Sequence, residues 1–308
     1  MSAFTARTPA SLDLIDPIPA QWETIDDRLG WQHDRHVERL FSGGRWLEGP
    51  VYVPAGRYLL FSDIPNDRIL RWDELTNTVG VFRDPAGFTN GHTLDGIGRL
   101  ISCEHLARRV SVTNHDGSVT TLADSYQGDR LNSPNDVVVT RDGSVWFSDP
   151  HYGILSSYEG DPGTSEIGSS NVYRLTPDGR LQAVVTGLEQ PNGLAFTPDE
   201  SMLYVVDSER GDLWRYPVLD DYTLGEGEQF VPDSGGADGI RFDERGYLWA
   251  ATQEGLRIYH PERTLLGRLV LPAVCSNLCF GGQRRTQLFI TATESVYSAR
   301  VGVRGAVF

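Results

Sequence analysis

Six oxygen-bearing side chains recur at one place in successive copies of a repeated segment, each just before or at the start of a short apolar stretch. None of the six is a histidine or a cysteine. In chain order they are Glu48, Asn90, Asn135, Asn192, Asp238 and Asn277. Two carboxylates with several amide oxygens suit a hard cation, and calcium, which takes six to eight oxygen ligands, suits the set best. The sequence therefore predicts a cation site, with zinc, manganese and magnesium as alternatives to calcium.

A second interpretation of these residues stays open. Asn and Asp are favoured in the turn before a strand, and Asn-Gly and Asp-Gly are common turn pairs. For a single copy this interpretation is sufficient. It explains the whole set less well, because turn residues need not face a common axis and Glu48 is a poor turn former.

The segments that carry these residues are about 40 residues long, the period of a propeller blade. Each has a polar residue, an apolar strand, a Gly/Asp/Pro turn and a second strand rich in large apolar residues, as in "PNGLAFTPDESMLYVVDS" from Pro191. No segment has a sustained helical period. Six such units predict an all-β fold, a six-bladed β-propeller over residues 37–308. Residues 1–36 are predicted to form an N-terminal arm, and residues 37–46 to close the ring as an outer strand of the last blade.

If the first strand of each unit is innermost, the turns that follow the second strands lie on the same face as the six polar side chains. A long Gly/Ser-rich insertion, residues 154–170, follows one of these turns. It is predicted to be either a lid over the site or an ordinary surface loop. Polar residues in these turns are candidates to hydrogen-bond a substrate: Glu104, His105, Arg108, His151 and Tyr152.

The composition excludes several classes of partner. The chain has 308 residues and a net charge of −15, which argues against a nucleic-acid or anionic membrane partner. The N-terminal residues lack a secretory signal, and no stretch approaches the ~20 apolar residues of a membrane span. We expect a cytoplasmic protein. The cysteines, Cys103, Cys275 and Cys279, are predicted to be reduced core residues rather than zinc ligands.

At the polar positions the chain resembles the gluconolactonase family, which includes regucalcin. "EGPVY" gives Glu48, "SPNDVVV" gives Asn135, "PNGLAF" gives Asn192 and "ADGIRFDERGYLWAA" gives Asp238. The stretches "NSPNDVVVTRDGSVWFSDPHYG" and "CEHLARRV" are similar to the bacterial gluconolactonase branch. The motifs occur in order at blade spacing, from about residue 43 to the C-terminus.

The resemblance implies a six-bladed propeller that holds one divalent ion, usually calcium, and hydrolyses sugar lactones. It implies Glu48, Asn135, Asn192 and Asp238 as the metal ligands. Asn90, which the repeat alone supports, is predicted to contact substrate instead. Regucalcin has an arginine before the ligand at Asn135, whereas this chain has Ser133 and Pro134 there, so that substrate arginine is not carried over.

A divalent cation stabilises the oxyanion that forms when water attacks a lactone carbonyl, so no covalent nucleophile is required. Asp238, from its place in the family's motif, is predicted to be the general base. The sequence has no Gly-x-Ser-x-Gly nucleophile motif. A calcium-dependent phosphotriesterase and a non-catalytic binding propeller are the alternative functions.

Overall fold

The computed structural model of the protein describes residues 17–30 and 34–307. Residues 1–16 and 31–33 of the predicted arm lie outside this part. Three strands precede the first blade: β1 (Ile18–Pro19), β2 (Gln21–Thr24) and β3 (His36–Ser42).

Six antiparallel sheets follow, and the first strand of each lies at the centre of the molecule. The first blade consists of β4 (Leu47–Val53), β5 (Tyr58–Asp63), β6 (Arg68–Asp73) and β7 (Thr78–Arg83), and the second of β8 (Thr89–Leu94), β9 (Leu100–Glu104), β10 (Arg109–Thr113) and β11 (Val119–Ala123). A small hairpin follows, formed by β12 (Ser125–Tyr126) and β13 (Asp129–Arg130). The third blade consists of β14 (Val137–Val139), β15 (Val145–Asp149), β16 (Ser170–Leu175) and β17 (Leu181–Leu188).

The fourth blade consists of β18 (Pro191–Phe196), β19 (Met202–Asp207), β20 (Asp212–Pro217) and β21 (Glu228–Val231). The fifth consists of β22 (Ile240–Phe242), β23 (Leu248–Thr252), β24 (Gly255–Tyr259) and β25 (Leu265–Val270). The sixth contains β26 (Cys275–Gly281), β27 (Gln287–Ala292) and β28 (Ser295–Arg300). The described residues contain one α-helix, α1 (Tyr152–Leu155), and two 3-10 turns, Asp27–Leu29 and Ile64–Asn66. The predicted all-β, six-bladed propeller is confirmed.

The ring closes as the sequence predicts. Strand β3 pairs with β28, the third strand of the last blade, with Ser42 opposite Ser295. A chain segment from before the first blade therefore supplies the fourth strand of the last blade, which joins the two ends of the ring. Strand β1 pairs with β3, and β2 pairs with β25 of the fifth blade. The described part of residues 1–36 thus adds outer strands to two blades, while the separation of an arm from the propeller at residue 37 stays a prediction.

The core lies between the faces of neighbouring blades. Strand residues alternate between the two faces of a sheet, so each blade presents large apolar side chains to both neighbours. Trp146 of β15 packs edge-on against Phe196 of β18, with ring centroids 5.0 Å apart, and Trp249 is also fully buried. The three cysteines are buried and unpaired. No helix in the described part of the chain is long and apolar enough to cross a membrane.

Candidate active site

A cavity of about 260 Å³ opens at one end of the central channel. It lies at the start of the inner strands. The residues that line it are Trp46, Glu48, Asn90, Asn135, Tyr152, Glu159, Asn192, Ser208, Gly236, Ala237, Asp238, Gln253, Val274 and Cys275. Five of the six side chains singled out from the repeat therefore meet in one cavity. The sixth, Asn277, lies beside it and donates Nδ2–H to Glu48 Oε2 at 3.1 Å.

Glycines bring the polar residues together. The amide N–H of Gly91 donates to the Asn135 carbonyl of the next inner strand at 2.7 Å, and that of Gly193 donates to the Asp238 carbonyl at 3.2 Å. A Cβ on Gly193 would lie 2.1 Å from the same carbonyl oxygen, so only glycine permits this approach. The Asn-Gly dipeptides at residues 90–91 and 192–193 lie inside strands rather than in turns. The turn interpretation is therefore wrong for these two copies.

Of the two carboxylates of the ring, Glu48 is buried and Asp238 is part-buried. Glu48 is 3% exposed, and its Oε2 accepts N–H groups from Gly49 at 2.8 Å and from Asn277. Burial raises the pKa of Glu48, and the negative charges of Asp136 and Glu159 raise it further. Burial also raises the pKa of Asp238, with the charge of Glu48 as the next cause. A positive charge in the cavity would relieve both effects.

A buried ion pair lies near these carboxylates. Asp136, 1% exposed, accepts from both terminal nitrogens of Arg241, at 3.0 and 3.3 Å. Asp136 also accepts the backbone N–H of Val137 at 2.9 Å, and Leu194 N lies 3.4 Å from its second oxygen. Asp136 directly precedes the inner strand of the third blade, and these contacts join it to the inner strands of the fourth and fifth blades.

The amide wall of the cavity is held by hydroxyl groups. Asn192 Nδ2 donates to Ser208 Oγ at 3.1 Å, and Ser208 Oγ donates to the Ala237 carbonyl at 3.2 Å. Tyr152 lines the cavity together with Asn192 and Ser208. Burial raises the pKa of Tyr152, followed by the charge of Asp238, so its hydroxyl stays protonated at neutral pH.

The insertion at residues 154–170 reaches the cavity through Glu159. This carboxylate lines the cavity, and burial raises its pKa. The next residue back, Tyr158, extends to the loop before β4, where its ring lies 5.2 Å from the Arg45 guanidinium and its hydroxyl 3.4 Å from the Arg45 carbonyl. The insertion thus starts in the third blade and touches the first. Its action as a lid stays a prediction.

Of the predicted substrate residues, Asn90 and Tyr152 line the cavity, whereas the others do not. Glu104 is paired with Arg109 at 2.8 Å, and Arg108 donates to the carbonyls of Leu131 and Asn132, so their polar groups are used within the protein. His151 is part-buried with Nδ1 3.5 Å from the Gln190 side chain.

His105 is 1% exposed and lies behind the cavity wall. Its Nδ1 is 2.9 Å from the Glu159 carbonyl oxygen and its Nε2 is 3.4 Å from Asn90 Nδ2. Burial lowers the pKa of His105 to about 4, so the imidazole is neutral at neutral pH. It contacts two residues that line the cavity without lining it itself.

Three participants escaped the sequence analysis: Glu159, Asp136 and Arg241. Glu159 lies in an insertion without a repeat partner, so no periodicity marked it. Asp136 directly follows Asn135, but its partner Arg241 is 105 residues away in the chain. Only the closed ring brings these two together. The acidic residues in the insertion were the one available signal, and they did not distinguish Glu159 from its neighbours.

The donor set fits a hard divalent cation. Glu48, Asn135, Asn192 and Asp238 offer oxygen, and no basic side chain lines the cavity among the described residues. The Cys275 thiol also lines it, but burial raises its pKa to about 12, so it is not a thiolate at neutral pH. Among the described residues, no group of three or more His, Cys, Asp or Glu is arranged to hold a metal ion, so a cation here would need the asparagine oxygens as ligands as well.

Comparison with known proteins shows the family to which the chain belongs. The family model for the SMP-30/gluconolactonase/LRE-like region matches residues 46–294. The gluconolactonase of Zymomonas mobilis is 33% identical over 299 residues, covering 87% of this chain and 82% of that protein. Pentonolactonase XacC of Haloferax volcanii is 29% identical over 257 residues, covering 79% and 80%.

Solved structures agree. A gluconolactonase of Xanthomonas campestris superposes with a TM-score of 0.86 at 36% identity, covering 92% of this chain and 97% of that one. Regucalcin of Agrobacterium tumefaciens, a calcium-binding protein, superposes with a TM-score of 0.73 at 18% identity, covering 88% and 94%, and so shares the fold.

Proposed function

Since the chain belongs to the SMP-30/gluconolactonase/LRE-like family, we propose that it hydrolyses sugar lactones such as glucono-1,5-lactone to the aldonic acids. One observation carries the proposal: three carboxylates and three Asn side chains meet in a single cavity that no basic side chain lines among the described residues. At about 260 Å³ the cavity suits a small molecule rather than a drug-sized one.

The residues that would hold a divalent cation, calcium above all, are Glu48, Asn135, Asn192 and Asp238. All four line the cavity, and two of them bring negative charge. A bound cation supplies Lewis-acid stabilisation of the negative charge that develops on the lactone carbonyl oxygen.

Asp238 is proposed to take the proton from the attacking water. The two carboxylates differ in how much of their hydrogen-bonding capacity is used. Glu48 accepts N–H groups from Gly49 and from Asn277, whereas Asp238 is part-buried and lines the cavity beside Asn192. Asp238 is therefore the freer base, and after ring opening it returns the proton to the departing ring oxygen.

The insertion is proposed to cover the mouth of the cavity. Glu159 lines the cavity, and Tyr158 reaches Arg45. Covering the mouth excludes bulk water, which strengthens the electrostatic interactions inside. It also limits access, because a substrate must fit beneath residues 154–170.

The proposal is tested by metal analysis and by activity. Protein purified without chelator is assayed for bound metal, then treated with EDTA and assayed in a pH-stat against glucono-1,5-lactone, with and without added calcium. We expect one divalent ion per chain, loss of lactone hydrolysis after EDTA and recovery with calcium.

A panel of phosphotriesters, assayed in parallel, separates the alternatives. Faster turnover of a phosphotriester than of any sugar lactone would assign the site to phosphotriester hydrolysis. Absence of turnover on both panels by the calcium-loaded protein would leave the propeller as a binding module.

A further inference from the structure

Asn90 presents a buried oxygen with no partner. Its side chain is 3% exposed and lines the cavity, and its Oδ1 accepts no hydrogen bond from any residue that the structure describes. An unpaired buried acceptor is unfavourable, so such atoms usually mark a place where a ligand completes the hydrogen bonding. Two other uncharged groups of the wall, Asn192 Nδ2 and Ser208 Oγ, already have partners.

His105 decides which way the Asn90 amide faces. The Glu159 carbonyl oxygen, 2.9 Å from His105 Nδ1, can only accept, so Nδ1 carries the hydrogen. The buried imidazole is neutral, and its Nε2 therefore has a free lone pair. Asn90 Nδ2, 3.4 Å from Nε2, donates to that lone pair, and Oδ1 is left on the other side of the amide.

The His105 ring has little freedom to turn. A Cβ on Gly153 would lie 2.5 Å from His105 Cβ and Cγ, so the first residues of α1 pack directly on the imidazole. The same ring thus holds the Asn90 amide on one side and the backbone of Glu159 on the other. It connects the inner strand of the second blade to the insertion.

We propose that Asn90 Oδ1 accepts a hydrogen bond from a hydroxyl group of the bound polyol lactone, and that His105 is the positioning residue that fixes this orientation. The inference rests on the proposed lactone hydrolase function and deepens it. An acceptor that faces the cavity, with its donor group turned away, selects a ligand that donates, and a sugar hydroxyl is such a group. His105 itself does not contact the substrate.

The first test uses the wild-type protein in saturating calcium. Lactones that each lack one hydroxyl are compared with the parent lactone. We expect one deoxy position to raise KM about tenfold to a hundredfold, the range for a lost hydrogen bond to a buried group. In N90A and in N90S that particular difference should disappear, because the parent lactone binds as weakly as the deoxy compound.

The second test measures binding without turnover. The inhibition constant of a non-hydrolysable polyol, D-glucitol, should rise about tenfold or more in N90A, while calorimetry should give a calcium Kd within about twofold of wild type. A weaker calcium Kd with an unchanged D-glucitol constant would make Asn90 a cation ligand and overturn the proposal. An unchanged value for both would overturn it as well.

A double-mutant cycle tests the role of His105. H105F removes both ring nitrogens and should raise KM in the wild-type background but add little in the N90A background, because its effect acts through Asn90. H105Q, whose amide can donate to the Glu159 carbonyl and accept from Asn90, should restore part of the loss. An equal effect of H105F in both backgrounds would show a general structural role and refute positioning.

Failure of the proposed function has a different signature. In that case the wild-type, calcium-loaded protein hydrolyses no lactone and binds no D-glucitol. Failure of the present inference leaves wild-type hydrolysis intact and shows only that Asn90 and His105 variants keep the wild-type discrimination among lactones.

Discussion

Asn90 and Asn277 occupy the same place in the second and sixth blades, yet their amides do different things. Asn277 uses both ends: Nδ2 donates to Glu48 at 3.1 Å, and Oδ1 accepts the Leu278 N–H at 2.8 Å. Asn90 uses only Nδ2, toward His105, and its Oδ1 has no partner among the described residues. Asn277 therefore uses both ends of its amide within the protein, whereas Asn90 Oδ1 remains an unpaired acceptor among the described residues.

The difference teaches that a repeat fixes where a side chain lies but not what it does. Position follows from the inner strand, which the repeat builds alike in each blade. Role follows from neighbours outside the repeat, such as His105 behind Asn90 and Glu48 beside Asn277. Substitutions around the ring should therefore have effects that depend on these neighbours.

Variants of the two ring carboxylates should differ most strongly in kcat at saturating calcium. Asp238→Asn keeps an oxygen of nearly the same shape and loses the base, so kcat at saturating calcium should fall about 10²–10⁴-fold. Glu48→Gln should mainly weaken calcium binding, and excess calcium should restore much of the rate. The measurement is kcat for both variants across a calcium titration.

The opposite result is equally clear. Recovery of Asp238→Asn with calcium as full as that of Glu48→Gln would make Asp238 a ligand only. The base would then be sought at Glu159, the other carboxylate that lines the cavity.

The two asparagines should give crossed phenotypes. Asn277→Ala removes the N–H that holds Glu48, and loss of such a supporting contact typically costs about 10–100-fold in metal affinity. The lactone KM at saturating calcium should stay close to wild type. Asn90→Ala is the matched control, with the reverse pattern. Equal losses of calcium affinity in both variants, by calorimetry, would contradict the comparison.

The sequence was sufficient for the fold because the repeat carries it. Alternating strands, turns and a polar residue at each inner strand define six blades, and a segment before the first blade is available to close the last. The sequence also placed five oxygen-bearing side chains in one cavity, because equivalent positions of a propeller face one axis.

The rest of the site depends on contacts that no local pattern encodes. The sequence assigned His105 to the rim, whereas the structure buries it between Asn90 and Glu159. Glu159 escaped notice because insertions have no period. The glycines after the polar residues looked like turn signals, although at Gly193 the need is room for the next strand's carbonyl.

The surroundings of the two asparagines also differ in their response to pH. Beside Asn90, His92 bridges the Ser62 and Ser102 hydroxyls at 2.8 Å each. Beside Asn277, the Ser276 hydroxyl donates to the carbonyl and the hydroxyl of Thr291, and neither hydroxyl titrates. Burial lowers the pKa of His92 to about 3, with the charge of Arg83 as a smaller cause.

Since the unfolded chain binds a proton at His92 below about pH 6.5 and the folded chain does not, His92 lowers the free energy of unfolding as pH falls from there toward 3. His92→Gln should remove up to about 1.4 kcal/mol per pH unit of this loss. Urea unfolding at pH 7.5, 6.5 and 5.5 measures it as a difference from wild type, because buried carboxylates with raised pKa, such as Asp149, titrate in the opposite sense. The exposed His115→Gln is the control, and parallel curves for wild type and His92→Gln would contradict the assignment.

The insertion touches both sides of the ring, and its two attachments differ in strength. On the Asn90 side the Glu159 carbonyl accepts from the buried His105 at 2.9 Å. On the Glu48 side the ring of Tyr158 is 42% exposed and lies 5.2 Å from the Arg45 guanidinium. An exposed cation–π contact contributes about 0.5–1 kcal/mol, so losing it should move a binding constant only about two- to fivefold.

Tyr158→Leu should therefore raise the lactone KM about two- to fivefold and leave both kcat and the calcium Kd near wild type. Leu155→Ala, at a 65% exposed position of the same segment, is the control and should change nothing. A KM effect as large as that of H105F would show that the exposed attachment holds the insertion as firmly as the buried one. The KM effects of Tyr158→Leu and H105F can be compared directly, because both residues contact the same segment and differ chiefly in burial. Burial sets how much each contact is weakened by competition with water.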